Sequence, residues 1–432
     1  MFEDHTSKKE AMELMREAWK PVRGTETVGI DEANGRFAAE DIRAKYNIPV
    51  VRSSGMDGIC VNFDLLEDGI PDASGWTRGV EYERADTGDD FDDKYDTVLP
   101  IEWVRPVDEA AVKGCRLELT GGIIIEPKGR PSPGGKGPGP QLERGMNVRP
   151  SGSMMKKDTL LLKAGMQITP FDIGSIVAGG YSEVSVMKKP VVAFIPTGSE
   201  LIGAGEDLQR GQNFDSNSHV VRAMLEMIGA EPLILPVVKD KRAELAEAMD
   251  KALAAADIVI INGGSSKGSE DFNTELLDKT GKLLFHWIKA APGRPMAAAA
   301  TDDGKLILNI AGPTLAAYYG IAWFVRGLVS DWYGAQIPWG VEREVTAGED
   351  MPAPPLSILR KMLVSENEDG ELVAIGMGGP GGPGPRGPKK PDAEKPAAKA
   401  QPAQYEANAV YFTDPEGGPI RKGDRFKVLI VR

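Results

Sequence analysis

The loop at residues 262–272, NGGSSKGSEDF, leaves the apolar run DIVIIN and carries the densest set of ligand-binding residue types in the chain. Gly263 and Gly264 let backbone N–H groups approach a ligand closely. Ser265, Ser266 and Lys267 add donors and one positive charge. Together they suit a phosphate group. The same letters also describe an ordinary strand-to-helix turn rich in small residues. The strand in front and Lys267 favour the ligand reading. Asp271, at the end of the loop, has the chemistry to hold Mg2+ against phosphate oxygens.

Two further loops follow strands or precede helices. IPTGSELIG holds Thr197, Gly198, Ser199 and Glu200, and GQNFDSNSHVV holds Asp215, Ser216 and Asn217. Taken alone, Asp215 or Ser216 is a helix N-cap. Glu200, Asp215 and Asp271 are all expected at one sheet edge, and three carboxylates converging in a polar cleft suit a hard divalent cation with phosphate. FHWIKAAPGRP offers Lys289 and Arg294 beside a Pro-Gly turn. These are solvated charges or, in the functional reading, oxyanion ligands, with arginine able to grip bidentately. In SSGMDGICV, Asp57 sits in a turn. In RADTGDDFDDKYDTVLPIEW, Thr87 and Gly88 mark a turn beside an acidic, solvated run.

The elements that must position these loops are legible as periodicity. VVAFIP, PLILPVV, DIVIIN and LILNIAG are strands. SHVVRAMLEMIG, KRAELAEAMDKALAAA and TLAAYYGIAWFVRGLVSDWYG are helices between or after them. Such alternation predicts a doubly wound, mostly parallel α/β sheet over 188–337, with ligands at its C-terminal edge. Residues 51–145 are short apolar runs between Gly, Pro and Asp clusters and predict a small inserted β domain. It divides a mixed domain, 1–50 with 146–187, whose helices are expected over 6–20 and 170–178. Residues 338–432 predict a C-terminal β domain. They contain a Pro/Gly-rich tract, 376–404, too poor in apolar residues to fold and expected to be a disordered loop. A second such tract spans 127–140.

Composition excludes several classes. The 432 residues carry a net charge of −13, which argues against a nucleic-acid or anionic-membrane coat. No run of about 18 apolar residues predicts a membrane span. The first residues lack a signal-peptide core. Two cysteines, Cys60 and Cys115, suit a reduced cytoplasm rather than a disulfide framework. Three scattered histidines make histidine-centred catalysis improbable.

In order and spacing, these motifs resemble the molybdopterin molybdenumtransferases, the family of MoeA and the gephyrin E domain. SSGMDGICV is similar to the family's S-A-M-D-G-Y-A-V, and TGDDFDDKYDTVLPIE keeps the frame of its T-G-A motif. GMNVRPSGSMM follows G-x-N-I-R-x-x-G-E-D. VVAFIPTGSELI, GQNFDSNS and NGGSSKGSEDF follow S-T-G-D-E-L, I-x-D-x-N and S-G-G-V-S-x-G-x-x-D. The resemblance implies four domains, an elongated homodimer, and a reaction that takes adenylylated molybdopterin, binds molybdate, releases AMP with a divalent cation and delivers molybdenum to the dithiolene. By position it assigns Glu200, Asp215 and Asp271 to the cation and pyrophosphate. It assigns Gly263, Gly264 and Ser266 to the cradle. Asp57, from a second subunit's β domain, and Thr87 would close the cleft. Thr197, Gly198, Asn217, Lys267 and Arg294 complete the expected binding set.

Departures cluster on the anion side. Ser153 and Met154 stand at two carboxylate positions, Ser199 at another, and Ala291 and Arg294 at two lysines. Ala311–Thr314, AGPT, replaces P-G-N-P. Two functions follow. One is a working molybdenum or tungsten insertase in which Lys267 and Arg294, with Arg149, supply the positive charge. The other is a non-catalytic molybdopterin-binding paralogue, a chaperone or scaffold for a molybdoenzyme. Expected partners are the pterin substrate, a second subunit, and a molybdopterin adenylyltransferase or molybdoenzyme, with neither nucleic acid nor membrane among them.

Overall fold

Four of the apolar runs become adjacent parallel strands of a six-stranded sheet. The computed structural model describes residues 5–108, 112–113, 116–117, 119, 121–127, 142–239, 241–263, 270–291, 293–377, 407–413 and 417–431, with the backbone alone at 112–113, 116–117 and 270–272. The two Pro/Gly tracts expected at 127–140 and 376–404, and Cys115, lie almost wholly or wholly outside these residues. The chain divides into two compact units, Thr27–Val186 and Met1–Glu26 with Met187–Arg432.

In the larger unit the sheet runs through β1 (Val191–Pro196), α1 (Asn217–Met227), β2 (Glu231–Ile234), α2 (Arg242–Ala255), β3 (Ile258–Asn262), α3 (Glu270–Thr280), β4 (Lys282–His286), β5 (Ala297–Ala300) and β6 (Leu306–Ile310). Strand order is β2-β1-β3-β6-β5-β4. The first four are parallel, and β5 and β4 extend the sheet antiparallel. Strands buried on both faces show unbroken apolar runs rather than alternation. Ala193, Ile195, Val259, Ile261 and Ile307 pack under α2 residues Leu245, Met249 and Ala252. The intervening Val192, Phe194, Ile258, Ile260 and Leu308 are equally buried on the opposite face. Each such Val, Ile, Leu, Met or Phe side chain contributes about 1.5–3 kcal/mol of transfer free energy.

Strands β4 and β5 have no counterpart among the expected elements. The run Ala297–Ala300 has helical propensity, yet between β4 and β6 it is extended and buried throughout. Tertiary pairing overrides the local preference there. After β6 comes α4 (Thr314–Gly320), continued by a π-helical turn at Ile321–Val325 and a helical stretch, Arg326–Tyr333, that ends at Gly334 with φ +65°. The C-terminal segment forms β7 (Val341–Ala347), β8 (Ser357–Glu366), β9 (Leu372–Met377), β10 (Ala409–Phe412) and β11 (Arg425–Ile430). They pair as β8-β9-β7-β11-β10, and β10 returns to β8, which closes a five-stranded barrel around Val345, Met362, Ala374 and Val428. Closure leaves no open edge.

The smaller unit is β-rich. Tyr82–Ala85, Gly58–Val61 and Thr97–Pro100 form an antiparallel sheet over a core of Ile59, Val61, Tyr82, Leu99 and Ile123. A second core joins Val28, Ala38 and Ile42 to Leu162, Ile176 and Val186, so residues from both sides of the β-rich stretch share it. Its helix, Pro170–Ala178, starts with a capping box between Thr169 and Asp172 and has proline in its first turn. Burial drives the Cys60 thiol up to about 12, so it is inert at neutral pH. Among the described residues no helix is long and apolar enough to cross a membrane.

Candidate functional site

The chain leaves β1 toward β2 and returns to place β3 on the other side of β1. Such a reversal opens a crevice at the carboxyl ends of the two strands, where open α/β sheets bind ligands. A cleft of about 470 Å3 occupies that place. The loop after β1 supplies Thr197, Gly198 and Glu200 to it. The start of α1 supplies Asp215 and Asn217, and the end of β3 supplies Asn262 and Gly263. Six of the residues expected from sequence therefore line one cavity. Gly264, Ser266 and Lys267 fall outside the described residues, and so does the side chain of Asp271, whose backbone lies in the first turn of α3.

The walls approach closely. Gly263 has φ +128°, and a Cβ there would stand 2.4 Å from both the carbonyl oxygen and the hydroxyl of Thr197. Glycine is demanded by backbone conformation and by space at once. The Thr197 N–H donates to the Asn262 carbonyl at 2.9 Å, and the Gly263 N–H donates to Ile310 O at 3.0 Å. At Gly198, φ +151°, a Cβ would lie 2.8–2.9 Å from the Glu200 carboxylate oxygens, so that carboxylate folds back on the strand-end loop.

Asp215 is buried, with 9% exposure. Its Oδ1 accepts the Ser218 N–H at 3.0 Å, so Asp215 caps the start of α1. Among the described residues its other oxygen has no hydrogen-bond partner. Asn217 differs from expectation. Both hydrogens of its Nδ2 are taken by the protein, at 2.8 Å by Asn262 Oδ1 and at 2.6 Å by the Gly312 carbonyl.

Sequence reasoning passed over Asn262, Asn309 and Asn273. They are 4%, 7% and 2% exposed. Asn273 on α3 donates to Gly263 O and to Asn309 Oδ1. A polar residue closing an otherwise apolar strand run, as in DIVIIN and LILNI, is the signal that could have found two of them. Gly312, Pro313 and Thr314, from the departing AGPT segment, also line the cleft.

Arg294 is not among the cleft-lining residues. Its guanidinium stacks over Trp287 at 4.7 Å, and Trp287 has φ +73°. In the smaller unit Asp57 and Thr87 are partners. Asp57 Oδ1 accepts from the Thr87 N–H at 2.7 Å and from its hydroxyl at 2.8 Å. The hydroxyl first, then the N–H, hold the Asp57 carboxyl below the usual carboxylate range. With its folded pKa depressed, the pair contributes stability at pH above the ordinary carboxylate value and loses it as pH falls through the lowered one. Thr87→Val should raise the Asp57 pKa toward its ordinary value in an NMR titration. An unchanged pKa would show that the hydroxyl contributes nothing.

Fold and cleft define a multidomain protein whose doubly wound α/β domain carries a polar ligand cleft at the carboxyl ends of its parallel strands. A profile of the MoeA N-terminal region (domain I and II) matches residues 6–180, and a profile described as a probable molybdopterin binding domain matches residues 193–331. The molybdopterin molybdenumtransferase of Bacillus subtilis (strain 168) is 27% identical over 372 residues, 82% of this chain and 81% of its own. That of Haemophilus influenzae is 30% identical over 281 residues, 65% and 66%. Among solved structures, the molybdopterin biosynthesis MoeA protein from Pyrococcus horikoshii superposes with a TM-score of 0.72 at 20% identity, over 99% of both chains, which shows the shared fold. The chain belongs to the molybdopterin molybdenumtransferase family.

Proposed function

We propose that this protein inserts molybdenum from molybdate into adenylylated molybdopterin and releases AMP. The observation that carries the reading is the convergence of Glu200, Asp215, Thr197 and Gly263 on one polar cleft at the switch point of the sheet. Relatives spanning most of the chain are named for this transfer, so the non-catalytic alternative is not favoured.

Mg2+ fits the donors present. It prefers hard oxygen ligands and is commonly held by one or two carboxylates together with substrate phosphates. Glu200 and Asp215 supply two such carboxylates. Among the described residues no cluster of three or more metal-ligating acidic, histidine or cysteine side chains forms, so the phosphates complete the set, with Asp271 assigned beside them. When bound, the cation neutralises phosphate oxygens. Gly263, Gly264, Ser266 and Lys267 cradle the phosphates. Arg294 contributes to molybdate binding, and a homodimer brings Asp57 and Thr87 of a second subunit to the cleft.

The working domain frame is 1–50 with 146–187, 51–145, 188–337 and 338–432. It is supported by separate apolar cores in the corresponding stretches. Composition supports a cytoplasmic setting, and a molybdopterin adenylyltransferase or a molybdoenzyme is the protein partner such a reaction calls for.

Purified protein supplied with adenylylated molybdopterin and Mg2+ should release AMP only when molybdate is added. Retained pterin binding with no molybdate-dependent AMP would overturn the enzymatic reading and restore the scaffold.

A further inference from the structure

We infer that Asn262 and Asn217 are positioning residues, a clamp that sets the Asp215 carboxylate in the cleft. The inference rests on Asp215 as a cation ligand. The amide directions follow from groups that can only accept. Asn262 Nδ2 donates to the carbonyl oxygens of Ile310 at 3.3 Å and Ala311 at 2.9 Å. Backbone carbonyls have no donor role, so the Asn262 amide has one orientation. Its Oδ1 is then left to accept, and Asn217 Nδ2 donates to it at 2.8 Å. The second hydrogen of Asn217 goes to the Gly312 carbonyl at 2.6 Å. Turning the Asn217 amide round would set oxygen against two oxygens.

The oxygen of Asn217 is buried and, among the described residues, has no partner. A buried acceptor left unsatisfied is costly. The residue holds its place through its two donors, which is how a tether behaves.

The tether starts from a strand paired on both sides. Asn262 ends β3, in register with Pro196 of β1 and Ile310 of β6. It ends on the first residue of α1, two positions after Asp215. From the other side, the Asp215 N–H donates to Ile202 O at 2.9 Å. Another side-chain tie from this turn, Ser216 Oγ to Thr314 Oγ1, is long at 3.5 Å. Central strand, Asn262, Asn217 and Asp215 thus form a line of hydrogen bonds and peptide bonds from sheet to carboxylate. Residues that orient metal ligands from behind are worth about 10–100-fold in metal affinity when removed.

The test is a titration of the full-length protein with Mn2+, read by its EPR signal, with AMP present to supply phosphate. Asn262→Leu should weaken Mn2+ binding at least about tenfold, and Asn217→Ser, which keeps one donor, should weaken it less. In parallel, the Mg2+ needed for half-maximal AMP release should rise while the rate at saturating Mg2+ stays within about threefold, a split that mere loss of folded protein does not produce. Should Asn262→Leu fail to fold, Asn217→Ser alone decides. Mn2+ affinity within about twofold of wild type in the folded variants overturns the clamp. If Asp215→Ala abolishes Mn2+ binding while the asparagine variants leave it intact, only the clamp is lost. If Asp215→Ala itself leaves Mn2+ binding unchanged, the cation reading falls with it.

Discussion

Replacing Asp215 by alanine should lower AMP release by about 10²–10³-fold, the scale on which removal of one group stabilising transition-state charge is felt. The residue is 9% exposed and lines the cleft with Glu200, so the substitution removes one of the two carboxylates assigned there to the cation. Alanine also removes the oxygen that caps α1 through Ser218, a loss of about 1 kcal/mol of stability by itself. Asp215→Asn separates the two roles. It keeps an oxygen for the cap and nearly the same volume but discards the charge. The expected outcome is a thermal midpoint close to wild type with a rate as low as the alanine variant's. An asparagine variant within about threefold of wild-type rate would confine Asp215 to helix capping.

Gly263→Ala should be the most disruptive single methyl in the cleft. At φ +128° a side chain is strained by about 1–3 kcal/mol. The new Cβ would also lie 2.4 Å from Thr197 O and Oγ1, and the first of these is backbone. Forcing the wall apart costs roughly another 1–3 kcal/mol. A lowered melting temperature and lost binding of AMP should appear together. Thr197→Ala in the same chain removes the hydroxyl but not the carbonyl, so it should restore only part of both. Gly312→Ala is the contrast. Among the described residues its added Cβ meets nothing nearer than the Gly263 Cα at 3.8 Å, an ordinary contact, and its stability should be close to wild type. Equal damage at both positions would show that the close approach to Thr197 does not govern the site.

The sequence by itself determined the four parallel strands of the α/β domain and the helices α1, α2 and α4 with its continuation. Runs such as VVAFIP and DIVIIN are buried on both faces and therefore announce themselves without alternation. It also determined that glycines must stand where a strand ends against a ligand loop, and the ordered motifs carried the family. Other features were decided only by the tertiary structure, because periodicity and turn chemistry are local. Ala297–Ala300 is a strand since β4 and β6 flank it. The C-terminal strands close into a barrel since β10 finds β8 across a long connection. Glu200 and Asp215 meet Gly263 because a strand order that reverses at β1 and β3 brings together loops some sixty residues apart. Asn217, legible as a ligand-binding residue, is a tether once Asn262 and the Gly312 carbonyl stand before it. A side chain's role depends on which acceptors its donors reach, and those acceptors come from other strands.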